Sequence, residues 1–470
     1  MLRRTGLFMD ASTSLRKSRK KRKCLRKGRK KGKGEFKGED RISSLPDGIL
    51  HHILSFLPLH YAIHTSLLSK RWKCIWKGIS KLDLCETVLY CDSVYKKINF
   101  INFVENVLLH HDPTVVIETF HLFYMTIIDE AHLTAWISTI LNRKVQDIEL
   151  HVSAECPIIF PSALFTCHSL TDIDLTAMLS TFELPCSVCF PNLKLWRLKF
   201  IQFSCGGGIQ EVTFNFPVLE EFILIDCVWL KIKDVIIFAP KLERIVIDNE
   251  EEDDDGIYTN CEVKIYAESL LTLDVISGLT YGLSLCNVSS LASACINLSD
   301  GSHFRDRSNR LLEGMCSVKD LSLPYPTLRQ FSDVKDLLIL SNLKCLTVSQ
   351  TNFVTREYLT ELFCSLSSIE SLCILHGLDQ YCSDQGYDWT LGAIPQSFLS
   401  QLKSFEIGNF NGSETELTLV EFLLMNARSL EKITIVSSSA LSAHPEIKLA
   451  IAKDLLSCPR GQLSCVIEFS

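Results

Sequence analysis

A short apolar pattern recurs along most of this chain and limits what it can fold into. The pattern is Leu-x-x-Leu-x-Leu, with Ile, Val, Phe or Trp accepted at the apolar places. Successive starts are 23 to 33 residues apart, except for one gap of 48 that fits two periods with a degraded copy. The twelve starts are Ile117, Val145, Leu170, Leu193, Leu219, Leu242, Leu270, Val318, Leu343, Ile369, Leu402 and Leu430.

This spacing matches a known class of repeat architecture. Periods of roughly 20 to 29 residues are those of leucine-rich repeats, in which each copy supplies one short strand. Two or three apolar side chains per strand form a core that only stacking completes, so the pattern predicts a curved solenoid. The copy at Leu219 is the fullest, with Cys227 where many repeats carry Asn or Cys. The other copies lack that residue, which favours irregular repeats. The alternative is an ordinary α/β domain whose strands alternate with helices.

Composition indicates the cellular compartment of the protein. No apolar run approaches the roughly 18 uncharged residues that cross a bilayer. The N-terminus is too basic for a secretory signal. We therefore expect a soluble intracellular protein with no membrane partner, in which the 20 cysteines stay reduced.

The first 38 residues differ sharply from the rest. They hold 16 of the 48 Lys and Arg but only two acidic residues, and they show no apolar periodicity. We expect a disordered basic arm over 1–38. Its densest run indicates a nuclear-import signal, or else a nonspecific nucleic-acid contact: Arg16, Lys17, Arg19, Lys20, Lys21, Arg22 and Lys23. The first interpretation places the protein in the nucleus, with the cytoplasm as a second location. The alternative is a solvated tail or an extension from a misplaced start codon.

A compact helical pattern follows the arm. Ser44-Leu45-Pro46-Asp47 has the composition of a helix start. The apolar residues behind it recur at spacings of three and four, which predicts one helix to Pro58, a second over 60–68 and a third from Ser69. Three short helices cannot bury this much apolar surface among themselves, so a partner or the following domain must cover the remainder.

The residues of this segment resemble the F-box of plant F-box proteins. The resemblance is carried by Asp40-Arg41-Ile42-Ser43-Ser44-Leu45-Pro46-Asp47, by Ile53-Leu54-Ser55-Phe56-Leu57-Pro58, and by Leu68-Ser69-Lys70-Arg71-Trp72 with Trp76. It implies docking onto a Skp-type adaptor, which connects the F-box to a cullin and a RING subunit in an SCF ubiquitin ligase. It also implies adaptor contact, or the small core behind that contact, for Leu45, Pro46, Ile53, Leu54, Leu57, Trp72 and Trp76.

The C-terminal segment resembles the FBD domain that ends many plant F-box/LRR proteins. The stretches that carry this resemblance are Ser400–Ile407, Asn411-Gly412, Leu417–Asn426, Ala427–Ile435 and Cys458-Pro459-Arg460. The predicted fold is α/β, with a three-helix F-box, an irregular leucine-rich-repeat solenoid and an FBD segment. The predicted boundaries are 1–38 for the arm, 39–80 for the F-box, 81–389 for the repeats and 390–470 for the FBD domain.

Catalytic patterns are missing from the sequence. It has no Gly-x-Ser-x-Gly and no His-Glu-x-x-His, and Cys186-x-x-Cys189 stands alone. We therefore expect no catalytic residue, no cofactor and no metal. The resemblance implies a noncatalytic substrate-recognition subunit of an SCF ligase, whose repeats bind an unidentified target protein. Two alternatives remain: a nuclear scaffold that acts without ubiquitin, with nucleic acid a disfavoured partner of its arm, and an enzyme of unknown type.

The strand pattern also predicts where a target binds. Side chains alternate along a strand, so residues between the core positions lie on the opposite face. In the central copies this face carries an apolar centre with a charged border, which is typical of a protein interface. Its residues are Ile223, Ile225, Val246 and Ile276, bordered by Arg197, Lys199 and Arg244. Alternatively, the C-terminal segment covers this face, or a register shifted by one residue puts the apolar residues in the core.

Overall fold

The computed structural model describes residues 41–85, 94–153, 159–206, 208, 210–249, 260–277, 281–298, 305–330, 340–349, 356–366, 368–378, 394–462 and 464–470. The chain forms two units, Met1–Leu45 and Pro46–Ser470. Residues 41–45 of the first unit form a turn in which the Ser44 hydroxyl donates to the carbonyl of Arg41. The basic arm, with its predicted import signal, lies outside the described residues. All elements below belong to the second unit.

Three short helices open the second unit. Helices α1 (Asp47–Leu54) and α2 (Leu59–His64) each begin directly after a proline, whose fixed φ and missing N–H suit a helix start. A 3-10 turn, Thr65–Leu67, extends α2. Helix α3 (Trp72–Ile75) is a single turn followed by the 3-10 turn Trp76–Gly78, so it is shorter than the sequence predicts.

Within the described residues, the main sheet contains sixteen strands, and every pairing between them is parallel. Neighbours follow chain order from β1 to β21, and β9 pairs with β6 beside this path. The sheet is open. Its strands are β1 Lys81–Cys85, β2 Thr119–Ile127, β3 Asp147–Ser153, β4 Asp172–Leu184, β6 Leu195–Cys205, β8 Glu221–Ile225, β9 Val228–Leu230, β11 Arg244–Asn249, β13 Thr272–Ser277, β15 Ser293–Asn297, β16 Asp320–Pro324, β17 Cys345–Ser349, β18 Ser371–Ile374, β19 Ser404–Phe410, β20 Lys432–Ser437 and β21 Val466–Phe469.

The apolar pattern in the sequence predicts the positions of most of these strands. Each of the twelve starts is followed two residues later by the first residue of a strand, from Thr119 after Ile117 to Lys432 after Leu430. Strand β15 lies in the gap of 48, where a degraded copy was expected. Strands β1 and β21 extend the ladder at its two ends beyond the predicted copies.

A second sheet of five parallel strands lies across the core from the central part of the main sheet. Polar and apolar residues alternate along its strands, as in Glu211-Val212-Thr213-Phe214, and the apolar ones are buried. This alternation is typical of half-buried strands. The sequence predicts no strands at these positions. In the order of pairing they are β14 Gly282–Cys286, β12 Glu262–Tyr266, β10 Asp234–Phe238, β7 Glu211–Asn215 and β5 Ser187–Cys189.

Helices occupy the connections on either side of this central region. The fold is therefore mixed α/β, as the sequence predicts. None of the described helices is both long and apolar enough to span a membrane. The remaining helices are α4 Val94–His110, α5 Glu130–Asn142, α6 Arg305–Glu313, α7 Tyr325–Gln330, α8 Arg356–Ser365, α9 Gln396–Gln401, α10 Glu414–Asn426, α11 Ser439–Ser442 and α12 Pro445–Ser457.

Aromatic side chains fill the space between the two sheets. The ring centroid of Trp196 in β6 lies 5.3 Å from those of Phe190 and Phe216. Phe203 and Trp229 stack at 4.0 Å. Because protein interiors are close-packed, this filling supports the main sheet from one side and leaves its outer face, turned away from the core, to meet solvent or a partner.

A buried carboxylate holds the C-terminal segment together. Glu416, in the first turn of α10, accepts hydrogen bonds from the backbone N–H groups of Leu378 at 3.2 Å and of Asn411 and Ser413 at 3.0 Å. Ser413 in return accepts from the Glu416 N–H at 3.3 Å, which completes a capping box. One side chain thus joins the loop after β18 to the connection between β19 and α10.

Candidate functional site

The N-terminal helices surround a buried core. Trp72 is 5% exposed and Trp76 8%, so both side chains are interior. A Cβ added at Gly78 would lie 2.5 Å from Cε1 of His51, which shows how closely the last turn approaches α1. The other buried residues of this core are Leu50, Leu54, Leu59, Ala62, Ile75 and Ile79.

The same helices leave other large apolar side chains in solvent. Ile49 and Ile53 lie one turn apart on the same side of α1. The exposed fraction reaches 74% at Phe56 and 85% at Leu67. This concentration within residues 49–68 is typical of a protein-binding surface. We call the set the exposed apolar set; its members are Ile49, Ile53, Phe56, Leu57, Tyr61, Leu67 and Leu68.

The charge of this segment is one-sided. Between residues 46 and 80, Asp47 is the only acidic residue, and Arg71 pairs with it. The segment also contains Lys70, Lys73 and Lys77. Net positive charge around an apolar surface favours a partner with negative charge.

The central strands form the second candidate surface. Arg197, Ile223 and Val246 lie side by side in the ladder, and Lys199, Ile225 and Asp248 form the next row. On the same face Asp274 and Ile276 follow in β13. The register prediction is correct, because the residues in between, Phe222, Leu224, Ile245 and Ile247, fill the core.

The burial of this face differs from the prediction. Ile223 is only 7% exposed although it lies on the outer face, where Arg197 and Val246 flank it on the two neighbouring strands. Ile225, Val246 and Ile276 are half-buried. The predicted apolar centre is thus smaller than its sequence suggests, since neighbouring side chains cover part of it.

The predicted basic border is largely neutralised within the sheet. Arg197 donates to Asp174 at 2.8 Å, and Arg244 donates to Asp274 at 3.1 Å. These arginines are already paired in the unbound protein. A partner therefore meets an ion-paired border and not a positive one.

Acidic residues and histidines occupy the first strands of the outer face. His121 Nε2 lies 3.2 Å from Asp147 Oδ2, and its Nδ1 lies 3.6 Å from Glu149 Oε2. The hydrogen bond to Asp147 raises the pKa of His121, and desolvation opposes this rise. Across the described ranges, no group of three or more His, Cys, Asp and Glu side chains is arranged to hold a metal ion.

Two segments of the chain match known protein families. Residues 42–84 match the F-box domain, and residues 393–435 match the FBD family. The chain contains an F-box domain and an FBD domain.

The chain is similar over most of its length to plant proteins that are named for an F-box. A putative FBD-associated F-box protein of Arabidopsis thaliana is 28% identical over 445 residues, covering 92% of this chain and 100% of the relative. An F-box/FBD/LRR-repeat protein of the same plant is 26% identical over 442 residues, covering 92% and 99%. F-box/LRR-repeat protein 13 of that plant is 28% identical over 445 residues, covering 90% and 94%. The similarity therefore extends well beyond the two matched domains.

The predicted adaptor residues of the F-box fall into two groups. Pro46, Ile53 and Leu57 are exposed, and Leu45 is half-buried in the first unit. Leu54, Trp72 and Trp76 belong to the F-box core and are not available to a partner as surface anchors. The predicted site omitted five exposed members of the set: Ile49, Phe56, Tyr61, Leu67 and Leu68. Three of them had a signal in the sequence, since Phe56 and Leu68 lie in the stretches that resemble an F-box and Ile49 is four residues from Ile53.

Proposed function

We propose that this protein is the target-recognition subunit of an SCF-type ubiquitin ligase. The exposed apolar set of its F-box binds a Skp-type adaptor, which connects the chain to a cullin and a RING subunit. The observation that carries the proposal is the coexistence of a complete F-box core with seven large exposed apolar residues between positions 49 and 68.

A complete core argues against incomplete packing as the origin of the exposed set. Removing apolar surface from water contributes about 25 cal/mol per Å². Covering the side chains of Leu67 and Phe56 with a partner therefore lowers the free energy, because it removes their apolar surface from water. The basic surroundings favour an adaptor surface that carries negative charge.

We infer that the strand units are irregular leucine-rich repeats that hold the target. Three features support this: neighbouring strands follow chain order, all are parallel, and each predicted copy supplies one strand. The protein itself needs no bond chemistry in this proposal, because a target lysine held near the loaded conjugating enzyme reacts at a high effective concentration.

The target site remains a proposal on the outer face. We expect contact through Ile225, Val246 and Ile276, with Lys199 beside Ile225. Ile223 lies on the same face but contributes little contact area, given its small exposed fraction. A protein partner fits better than a small molecule, since the surface is spread across several strands.

A nuclear location is proposed from the basic arm alone. The run from Arg16 to Lys23 has the charge density of an import signal. Deleting residues 1–38 is expected to shift a fluorescent fusion from nucleus to cytoplasm without changing adaptor binding. An unchanged distribution would leave the solvated tail as the explanation.

Adaptor binding tests the proposed function directly. We expect purified full-length protein to bind a Skp-type adaptor, and Leu67→Asp to lose about 2 kcal/mol or more of binding free energy. Leu109→Asp is the matched control, since Leu109 is also an exposed leucine but lies in α4 outside the F-box. Calorimetric titration measures both, with circular dichroism to show that both variants fold. Failure of the wild-type chain to bind any Skp-type adaptor would contradict the proposal.

A further inference from the structure

Backbone hydrogen bonds join the F-box to the repeats over a short stretch. The N–H of Asp112, just after α4, donates to the carbonyl of Lys77 at 3.0 Å. The N–H of Glu118, just before β2, donates to the carbonyl of Ser80 at 2.8 Å, and the Ser80 hydroxyl donates to the Glu118 carboxylate at 2.8 Å. This joint is therefore built from the last residues of the F-box and the connection between α4 and β2.

A buried histidine lies at the centre of the joint. His111 is 2% exposed; its Nε2 lies 2.8 Å from the carbonyl oxygen of Ile79, and its Nδ1 lies 2.9 Å from Nη2 of Arg143. A carbonyl only accepts and a guanidinium only donates. The imidazole must therefore carry its single hydrogen on Nε2 and be neutral.

Arg143 fastens the joint from the repeat side. It follows the C-terminus of α5, and the same Nη2 also donates to the carbonyls of Asp112 and Val115, the latter at 3.2 Å. One guanidinium thus holds the connection between α4 and β2 while it fixes the ring of His111. The F-box end, α4 and α5 meet at these two side chains.

The electrostatics keep His111 neutral. Burial lowers its pKa, the bond to Ile79 opposes this, and the charge of Arg143 lowers it further. The Asp112 carboxylate raises it, but that carboxylate accepts from the N–H and the hydroxyl of Thr114 at 2.9 and 2.7 Å. Protonation would place a second N–H against the guanidinium and break the hydrogen bond from Arg143.

We propose that His111 and Arg143 are positioning residues that fix the direction in which the F-box presents the outer face of the repeats. This inference rests on the proposed ligase function. The adaptor holds the F-box, and the repeats hold the target. A rigid joint between F-box and repeats therefore limits which lysines of the target reach the conjugating enzyme. Ubiquitin transfer depends on such geometry because the rate gain comes from orientation.

Two measurements on the full chain bound to its adaptor test the joint without a target. Fluorophores at the exposed positions Lys73 and Lys241, introduced as noncanonical amino acids, report the distance distribution between the F-box and the repeats. Hydrogen exchange at the amides of Asp112 and Glu118 reports the bonds across the joint. We expect His111→Phe and Arg143→Gln to broaden the distribution and to speed this exchange about tenfold or more.

Matched controls separate the joint from general damage. His110→Phe makes the same change at the neighbouring exposed histidine, and Lys144→Gln changes the exposed residue beside Arg143. Both are expected to behave as wild type. In wild type, acidification should broaden the distribution as His111 becomes protonated, whereas His111→Phe should show no such dependence. Arg143→Gln covers the case in which His111→Phe does not fold. Unchanged distances and exchange in both joint variants would overturn the proposal.

Self-ubiquitination links the joint to transfer. In a reconstituted ligase, the lysines modified on the receptor itself are mapped by mass spectrometry. We expect Arg143→Gln to bind the adaptor as wild type does but to spread modification over more lysines. An identical lysine map would overturn the positioning role while leaving the ligase function standing. Failure of the wild-type protein to bind the adaptor would instead contradict the ligase function.

Discussion

The F-box and the central strands differ in how many of their large apolar side chains are exposed. The F-box leaves seven large apolar side chains exposed between residues 49 and 68. Among the described residues from 195 to 298, only Phe238 and Leu271 are similarly exposed. Both regions have complete cores. Their difference therefore reflects what covers them: the central strands cover one another, whereas the F-box leaves these side chains in solvent.

Geometry explains this contrast. A strand inside a parallel ladder has a neighbour on each side, and its inward residues meet the second sheet. Short helices can bury only one side against each other. The opposite side of α1 and the turn after α2 then stay exposed, which is typical of surfaces that bind a partner.

The largest expected effect distinguishes the two classes of apolar residue within the F-box. Trp72→Ala should lower the free energy of unfolding of the F-box by about 3 to 5 kcal/mol, because it opens a cavity in a small core. Hydrogen exchange at the amides of α1 measures this. Loss of adaptor binding in this variant would then follow from unfolding and would not identify Trp72 as a contact.

Phe56→Ala is the matched control for Trp72→Ala. Its side chain is largely in solvent, so stability should change by less than about 0.5 kcal/mol while adaptor affinity falls. If Phe56→Ala unfolds the F-box as strongly as Trp72→Ala does, the distinction between core and exposed set is wrong.

The C-terminal segment should respond to the loss of a single buried carboxylate. Glu416→Ala leaves the N–H groups of Leu378, Asn411 and Ser413 without their acceptor. We expect a loss of about 3 kcal/mol, since unsatisfied buried donors are penalised. Thermal unfolding measures it, and Glu414→Ala, in the same helix turn, is the control. A loss no larger than that of the control would show that the three N–H groups find other acceptors.

The strands were predictable because their physical cause is local. A copy such as Leu219, Phe222 and Leu224 puts its apolar residues at the spacing of a strand's core face, and all copies fold alike. The second sheet was missed although Val212 and Phe214 alternate correctly. Five-residue strands carry a weak signal, and the known repeat template directs attention to one strand per period.

The candidate sites were less predictable because exposure is not a property of residue type. Leu54 and Ile53 are adjacent and chemically alike, yet one is core and the other is exposed. Ile223 is on the predicted face but is covered by its neighbours across the strands. Such coverage depends on which side chains face each other between strands, and sequence spacing does not contain that information.

A smaller effect on stability is expected on the outer face of the central strands. Ile225→Ser with Ile276→Ser replaces two half-buried residues without adding charge beside Asp248, so it should lower stability by only about 1 kcal/mol. Capture of cellular targets, measured by proximity labelling, should nevertheless be lost if this face binds them. Val436→Ser, at an exposed apolar residue of β20, is the control. Unchanged labelling by the double variant would place the target elsewhere.

The smallest effect concerns the polar cover of the repeats. Glu370 accepts from Lys344 at 2.7 Å and from Lys403 at 2.6 Å, residues that precede three successive strands. These two hydrogen bonds lower the pKa of Glu370 to about 2. Because the folded-state pKa lies below the ordinary value, the bonds stabilise the fold above the ordinary range of Glu and are lost as the pH falls towards about 2.

Solvent should nevertheless keep this contribution small. Exposed ion pairs are screened by water and salt, so Glu370→Gln should leave the thermal midpoint nearly unchanged at neutral pH. Any difference from wild type should shrink as the pH falls from about 6 to about 2, since wild-type Glu370 is then progressively protonated. If Glu370→Gln destabilised the chain as much as Glu416→Ala, the charged edges would be part of what holds the repeats together. The contrast with the F-box would then rest on ion pairs as well as on the way neighbouring strands cover one another.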